Sequence, residues 1–97
     1  MNHLRQYLDT ISKLKPELED RYLVNSIGLF GSVVRDDFSP SKSDLDIIVD
    51  FKRPVGVEFI ELADYLEKVL KRKVDLVSRK GVRPQYFKTI ESEIVYV

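Results

Sequence analysis

Two carboxylates one residue apart, Asp44 and Asp46, stand at the head of the apolar run Leu45, Ile47, Ile48 and Val49. The run reads as a buried strand, and on a strand residues i and i+2 share a face, roughly 6.5–7 Å apart. Two carboxylates projecting together from an apolar strand repel one another and resist desolvation, a costly arrangement unless a cation sits between them. Oxygen-only ligands favour magnesium, or manganese, over zinc.

The residues just upstream supply the complementary chemistry. Leu23 to Phe30 reads as a strand that ends at Gly31-Ser32, after which Val33, Val34 and Arg35 can begin a short helix. A helix start presents unpaired backbone N–H groups and a partial positive charge, which suits a polyphosphate. Glycine at 31 permits close backbone approach, and Ser32 adds a hydroxyl donor. Arg35 has two readings, a contact to a phosphate oxygen or a tether on one of the aspartates. A phosphate cradle and a metal platform this close in sequence imply a nucleoside triphosphate bound through magnesium.

The chain has 97 residues, enough for one small domain over 1–97 with little room for a separate acceptor-binding module. Sixteen basic and sixteen acidic residues leave no net charge, which argues against broad binding to long nucleic acid. The absence of cysteine excludes disulfides and thiolate metal sites, and nothing resembles a signal peptide or membrane span, so a cytoplasmic protein is expected. With His3 the only histidine and remote from the motif, no Ser-His-Asp or Cys-His nucleophile can be assembled.

Taken in order, Asn2 is positioned to cap a first helix in which Leu4, Leu8, Ile11 and Leu14 recur at helical spacing. Pro16 is expected to interrupt it and to start a second short helix carrying Leu18 and Tyr22. The apolar stripe suits core packing, with partner docking the competing reading. The loop Asp37 to Ser43 is a turn-rich connection in which Ser43 is placed to orient Asp44, while Lys42 reads as solvent-exposed. Val57 to Lys71 predicts a helix with Phe59, Leu62, Ala63, Leu66, Val69 and Leu70 on one side. Its end, Lys71-Arg72-Lys73, reads as a solvated helix terminus, with a charged partner as the alternative. Val74 to Val77 is the third strand, where Asp75 sits among apolar residues and is therefore either buried or at a metal. Arg79 and Lys80 are expected near Asp75, touching triphosphate or acceptor, or else as loop charge. A helix over Pro84 to Ile90 and an edge strand over Ile94 to Val97 complete the chain.

The pattern GSVVR followed by SDLDIIV resembles the Gly-Ser, Arg, Ser-Asp-x-Asp signature of the polymerase beta-like nucleotidyltransferases, and in particular its minimal nucleotidyltransferase members. The likeness covers nearly the whole chain. It departs at Val34, where alanine is common, and at Asp36, where glycine is common. The resemblance implies an α/β (α+β) fold, a small mixed sheet of about four strands flanked by helices, like a polymerase beta palm. It implies Asp44, Asp46 and Asp75 as catalytic residues and ligands of two magnesium ions, and Gly31, Ser32, Arg35 and Ser43 as nucleotide-binding. The implied reaction is transfer of AMP from ATP to a hydroxyl, with Asp75 nearest the acceptor. Relatives of this type pair with HEPN-domain RNase toxins and silence them by attaching AMP to a tyrosine, so the resemblance implies a type VII-like antitoxin. Two other readings stay open: neutralisation of the partner by contact alone, and transfer to a small molecule.

Overall fold

The computed structural model of the chain describes residues 3–97; the Asn2 cap lies outside them. The element order is α1 (His3–Arg21), β1 (Val24–Phe30), α2 (Ser32–Arg35), β2 (Leu45–Phe51), α3 (Val57–Leu70), β3 (Val74–Ser78), α4 (Pro84–Ile90), a 3-10 turn (Glu91–Glu93) and β4 (Val95–Tyr96). The four strands form one mixed sheet in the order β3-β2-β1-β4. β1 runs antiparallel to β2 and β4, and β2 runs parallel to β3. The expected mixed sheet with flanking helices is what the chain forms.

Alternation along the strands divides the sheet into two faces. Ile27 and Leu29 of β1, Leu45, Ile47 and Val49 of β2 and Val74 of β3 are buried in one cluster with Ile11 and Leu18 of α1 and Leu62, Leu66 and Leu70 of α3. Period two on the strands meets period 3.6 on the helices, and this face is the main core. The opposite face carries a second, smaller cluster, Phe30, Ile48 and Ile90, with Val77, Phe87 and Ile94 packed against it. The short α4 covers only part of that face.

One helix, rather than two, spans the N-terminal region, with Pro16 inside it. Proline removes the bond to the carbonyl four residues back, that of Ser12. Both Ser12 and Pro16 are exposed, so water can satisfy the freed carbonyl. Burial of Ile11 and Leu18 on the inner side holds the helix together across the break. Four boundaries also move: Leu23 leaves the strand for a left-handed conformation at φ 61, Lys71 becomes the left-handed C-cap of α3, β3 extends to Ser78, and the last strand shortens to Val95–Tyr96. No helix of the described residues is long and apolar enough to cross a membrane.

Candidate active site

Sheet register builds the site. Phe30 of β1 pairs with Asp46 of β2, and Asp46 pairs with Asp75 of β3. Residues paired in register point to the same face, so one row across the sheet reads Phe30, Asp46, Asp75, on the face only partly covered by α4. Asp44 precedes β2, close enough that its charge is felt at Asp46.

The electrostatics follow from that crowding. The Asp46 carboxyl is raised from 3.8 to about 6, first by its partial burial and then by the charges of Asp75 and Asp44, with Glu93 adding a little and Arg35 opposing. A half-buried carboxylate crowded by two others offers the all-oxygen donors that suit a hard cation. The donor set fits magnesium, although among the described residues no group of three acidic, histidine or cysteine side chains closes round a single point. Of the two readings of Asp75, buried or at a metal, burial is ruled out: Asp75 is exposed, as is Asp44, while Asp46 is intermediate. Asp75 lies on the edge strand β3 and Asp44 in the loop before β2, so solvent reaches both and the desolvation argument applies to Asp46 alone.

Gly31 abuts this row. Its backbone takes φ 79, ψ −149, a region available essentially to glycine alone. A β-carbon there would fall on the Asp46 carboxylate oxygen. The turn and the acid are thus held in contact, and only a residue without a side chain permits it. The amides of Val34 and Arg35 donate to the Gly31 carbonyl at 3.0 and 3.1 Å, closing α2. Asp36 ends it in the left-handed conformation at φ 69, with its N–H on the Ser32 carbonyl. That conformation explains the departure from glycine at this position, since aspartate is one of the few residues that tolerate it.

Glu93, which the sequence reading passes over, reaches the turn from the far end of the chain. Its Oε2 accepts the Gly31 N–H at 2.6 Å and pairs with Arg35 Nη1 at 3.2 Å. Arg35 is accordingly engaged with Glu93, with Asp37 a further 3.9 Å neighbour. Tyr86, also unforeseen, stands at the rim: its ring meets Phe30 edge-on, centroids 6.4 Å apart, and its hydroxyl is shifted upward by burial and by Asp46, Asp75 and Glu93. Neither residue has a local sequence signal, because both arrive through α4 and the turn after it.

Ser43 shapes the approach to Asp44. Its Oγ accepts the Ser39 N–H at 3.0 Å and its own N–H donates to the Ser39 carbonyl at 2.7 Å. Lys42 is exposed, as expected. The same loop overturns the solvated reading of Arg72 in the basic run after α3. Arg72 donates to the carbonyls of Ser43 and Pro40, at 3.2 and 2.6 Å, and to the Tyr7 hydroxyl at 2.9 Å, with its guanidinium over the Phe38 ring. One planar fork thus ties the loop before Asp44 to two helices.

Among the described residues no ion pair joins Arg79 to the acid row. Arg79 lies four residues beyond Asp75, about 13 Å along the chain, and stacks on Phe87 at 3.6 Å from the ring centroid. Lys80 lines a separate cavity of ≈ 340 Å³ with Asp50, Arg53 and Phe59, at the far end of β2.

The nucleotidyltransferase domain family matches residues 11–97 of the chain. Over 84 residues the chain is 45% identical to the protein adenylyltransferase MntA of Thermococcus cleftensis, covering 86% of this chain and 84% of that protein. It is similar to a solved structure described as a candidate minimal nucleotidyltransferase, at 27% identity and a TM-score of 0.77, over 93% of this chain and 92% of that one. It is also similar to a crystal structure of a toxin-antitoxin pair with AMP-PNP, at 25% identity and a TM-score of 0.74, over 91% of this chain and 69% of that one.

Proposed function

Because this chain belongs to the nucleotidyltransferase domain family, we propose that it moves AMP from ATP onto a hydroxyl of a protein partner and releases pyrophosphate. The acceptor is a tyrosine hydroxyl of a HEPN-domain RNase toxin, which makes the chain the antitoxin of a type VII-like pair. The similarity to a toxin-antitoxin structure with AMP-PNP supports this reading, as does the name of the Thermococcus cleftensis relative, protein adenylyltransferase MntA.

One nucleotidyltransferase unit over 1–97 carries the work, in the cytoplasm. Asp44, Asp46 and Asp75 hold magnesium, which when bound supplies a counter-charge to the phosphates and activates the acceptor oxygen. Asp75, at the open side of the row, faces the acceptor and takes its proton. The turn at Gly31 and Ser32 holds the β and γ phosphates, with Ser32 donating its hydroxyl and Gly31, its own amide kept on Glu93, allowing close backbone approach; Arg35 balances their charge, and Ser43 fixes the backbone before Asp44. A bond forms from the acceptor oxygen to the α-phosphorus, the bridge to the β-phosphate breaks, and pyrophosphate departs past the turn. The observation that carries the reading is the Asp46–Asp75 register pair with Gly31 packed on Asp46.

The test is incubation with the cognate toxin, magnesium and ATP labelled at the α-phosphate. Label is expected on one tyrosine-bearing peptide of the toxin and absent with the Asp44→Ala, Asp46→Ala double variant. A double variant that silences the toxin as well as the parent does would mean neutralisation by contact alone.

A further inference from the structure

We propose that Glu93 is a positioning residue for the nucleotide: through one carboxylate it holds the Gly31 amide and the Arg35 guanidinium, and so sets the shape of the phosphate-binding turn. The inference rests on the reading of that turn as the triphosphate site.

The geometry is specific. The turn has only four helical residues, a length that is marginal on its own, and it starts from a Gly31 conformation open essentially to glycine alone. Glu93 touches it at both ends, with Oε2 shared between the Gly31 N–H and Arg35 Nη1, and Oε1 at 3.4 Å from the same guanidinium nitrogen. Charge-assisted bonds of this kind are among the stronger side-chain contacts. The Glu93 side chain is only 21% exposed, so water competes weakly for it.

The glutamate is itself anchored. Directly after it, Ile94 packs over Gly28, where a β-carbon would come within 2.8 Å of Ile94 Cγ2. Tyr96 and Val95 pair with Gly28 and Leu29, and the Val97 N–H donates to the Ile27 carbonyl at 2.9 Å. β1 thus carries the turn at its end and the C-terminal strand along its side. Glu93 bridges the two, which makes the last residues of the chain part of the nucleotide site. Arg35 gains a defined direction from the same contact, held beside the turn instead of sweeping through solvent.

The experiment compares parent, Glu93→Gln and Glu93→Ala as full chains. Steady-state transfer to the toxin partner gives KM for ATP and kcat, and hydrogen exchange of the Gly31 amide reports the turn without ATP. Glu93→Ala is expected to raise KM about tenfold with kcat within about twofold, and to speed Gly31 exchange by a similar factor. Glu93→Gln keeps an acceptor for the amide but loses the ion pair, so it should fall between the two. Tighter ATP binding by Glu93→Ala would mean that the carboxylate competes with phosphate, and would overturn the proposal. Unchanged Gly31 exchange would overturn it whatever happens to ATP. A parent that binds no ATP while Glu93→Ala still frees the amide would instead remove the triphosphate reading, leaving a structural brace.

Discussion

At Gly31, backbone and side-chain constraints coincide, because the positive φ and the Asp46 oxygen beside the missing β-carbon both demand glycine. Gly31→Ala should lower unfolding free energy by about 1–3 kcal/mol, read from urea denaturation. Transfer activity should fall with it, since the turn must move off Asp46. Asp46 itself sets a pH dependence. Its folded pKa, about 6, lies above the ordinary 3.8, so the folded state binds this proton more tightly than the unfolded chain. The cost is absent below about pH 4, grows as pH rises through the window from 4 to 6, and is complete above it. In chelator-treated buffer, Asp46→Asn should therefore stabilise the protein at pH 7.5 by about 1 kcal/mol, a figure reduced for solvent screening at a half-buried group. The gain should vanish at pH 3.5, and thermal melts across pH provide the check. Activity is expected to be lost at every pH, because the amide cannot serve as the carboxylate does in the proposed mechanism.

Among the elements, the loop between α2 and β2 depends on the residue that follows α3. Arg72 satisfies two loop carbonyls and a tyrosine hydroxyl, so its removal leaves three acceptors to water and releases the segment before Asp44. Arg72→Ala is expected to cost about 1–2 kcal/mol and to make residues 36–44 sensitive to proteolysis under native conditions. Lysine at 72 should recover little, since a single ammonium cannot span acceptors arranged for a planar fork. β3 is fastened at the same corner, where the Leu45 N–H donates to the Lys73 carbonyl at 3.0 Å and the Val74 N–H to Glu67 Oε2 at 3.0 Å. These contacts hold Asp46 beside Asp75, and a slip of one residue would send Asp75 to the opposite face. Within the basic run read from sequence as a solvated helix end, Lys71 and Lys73 are exposed, while Arg72 is part of the site's scaffold.

For the whole molecule, a ligand that binds only the folded chain must raise its melting temperature. At one hundred times its dissociation constant, Mg-ATP should add about 2.7 kcal/mol, or roughly 10–20 °C for a domain of this size. The shift should disappear in the Asp44→Ala, Asp46→Ala variant, as measured by thermal denaturation. Much of this molecule was legible in its residue order. The Gly-Ser turn, the paired aspartates, and the strands and helices between them follow from hydrophobic period and turn chemistry, which act over a few residues. The single helix through Pro16 did not, because only packing of Ile11 and Leu18 shows which side of the proline faces water. Nor did the exposure of Asp75, the stacking of Arg79 on Phe87, or the parts played by Arg72 and Glu93. The Arg72 and Glu93 contacts join residues tens of positions apart, and strand order and register, not local propensity, bring them together. Short-range rules wrote the motif; long-range pairing gave it a third carboxylate and a brace.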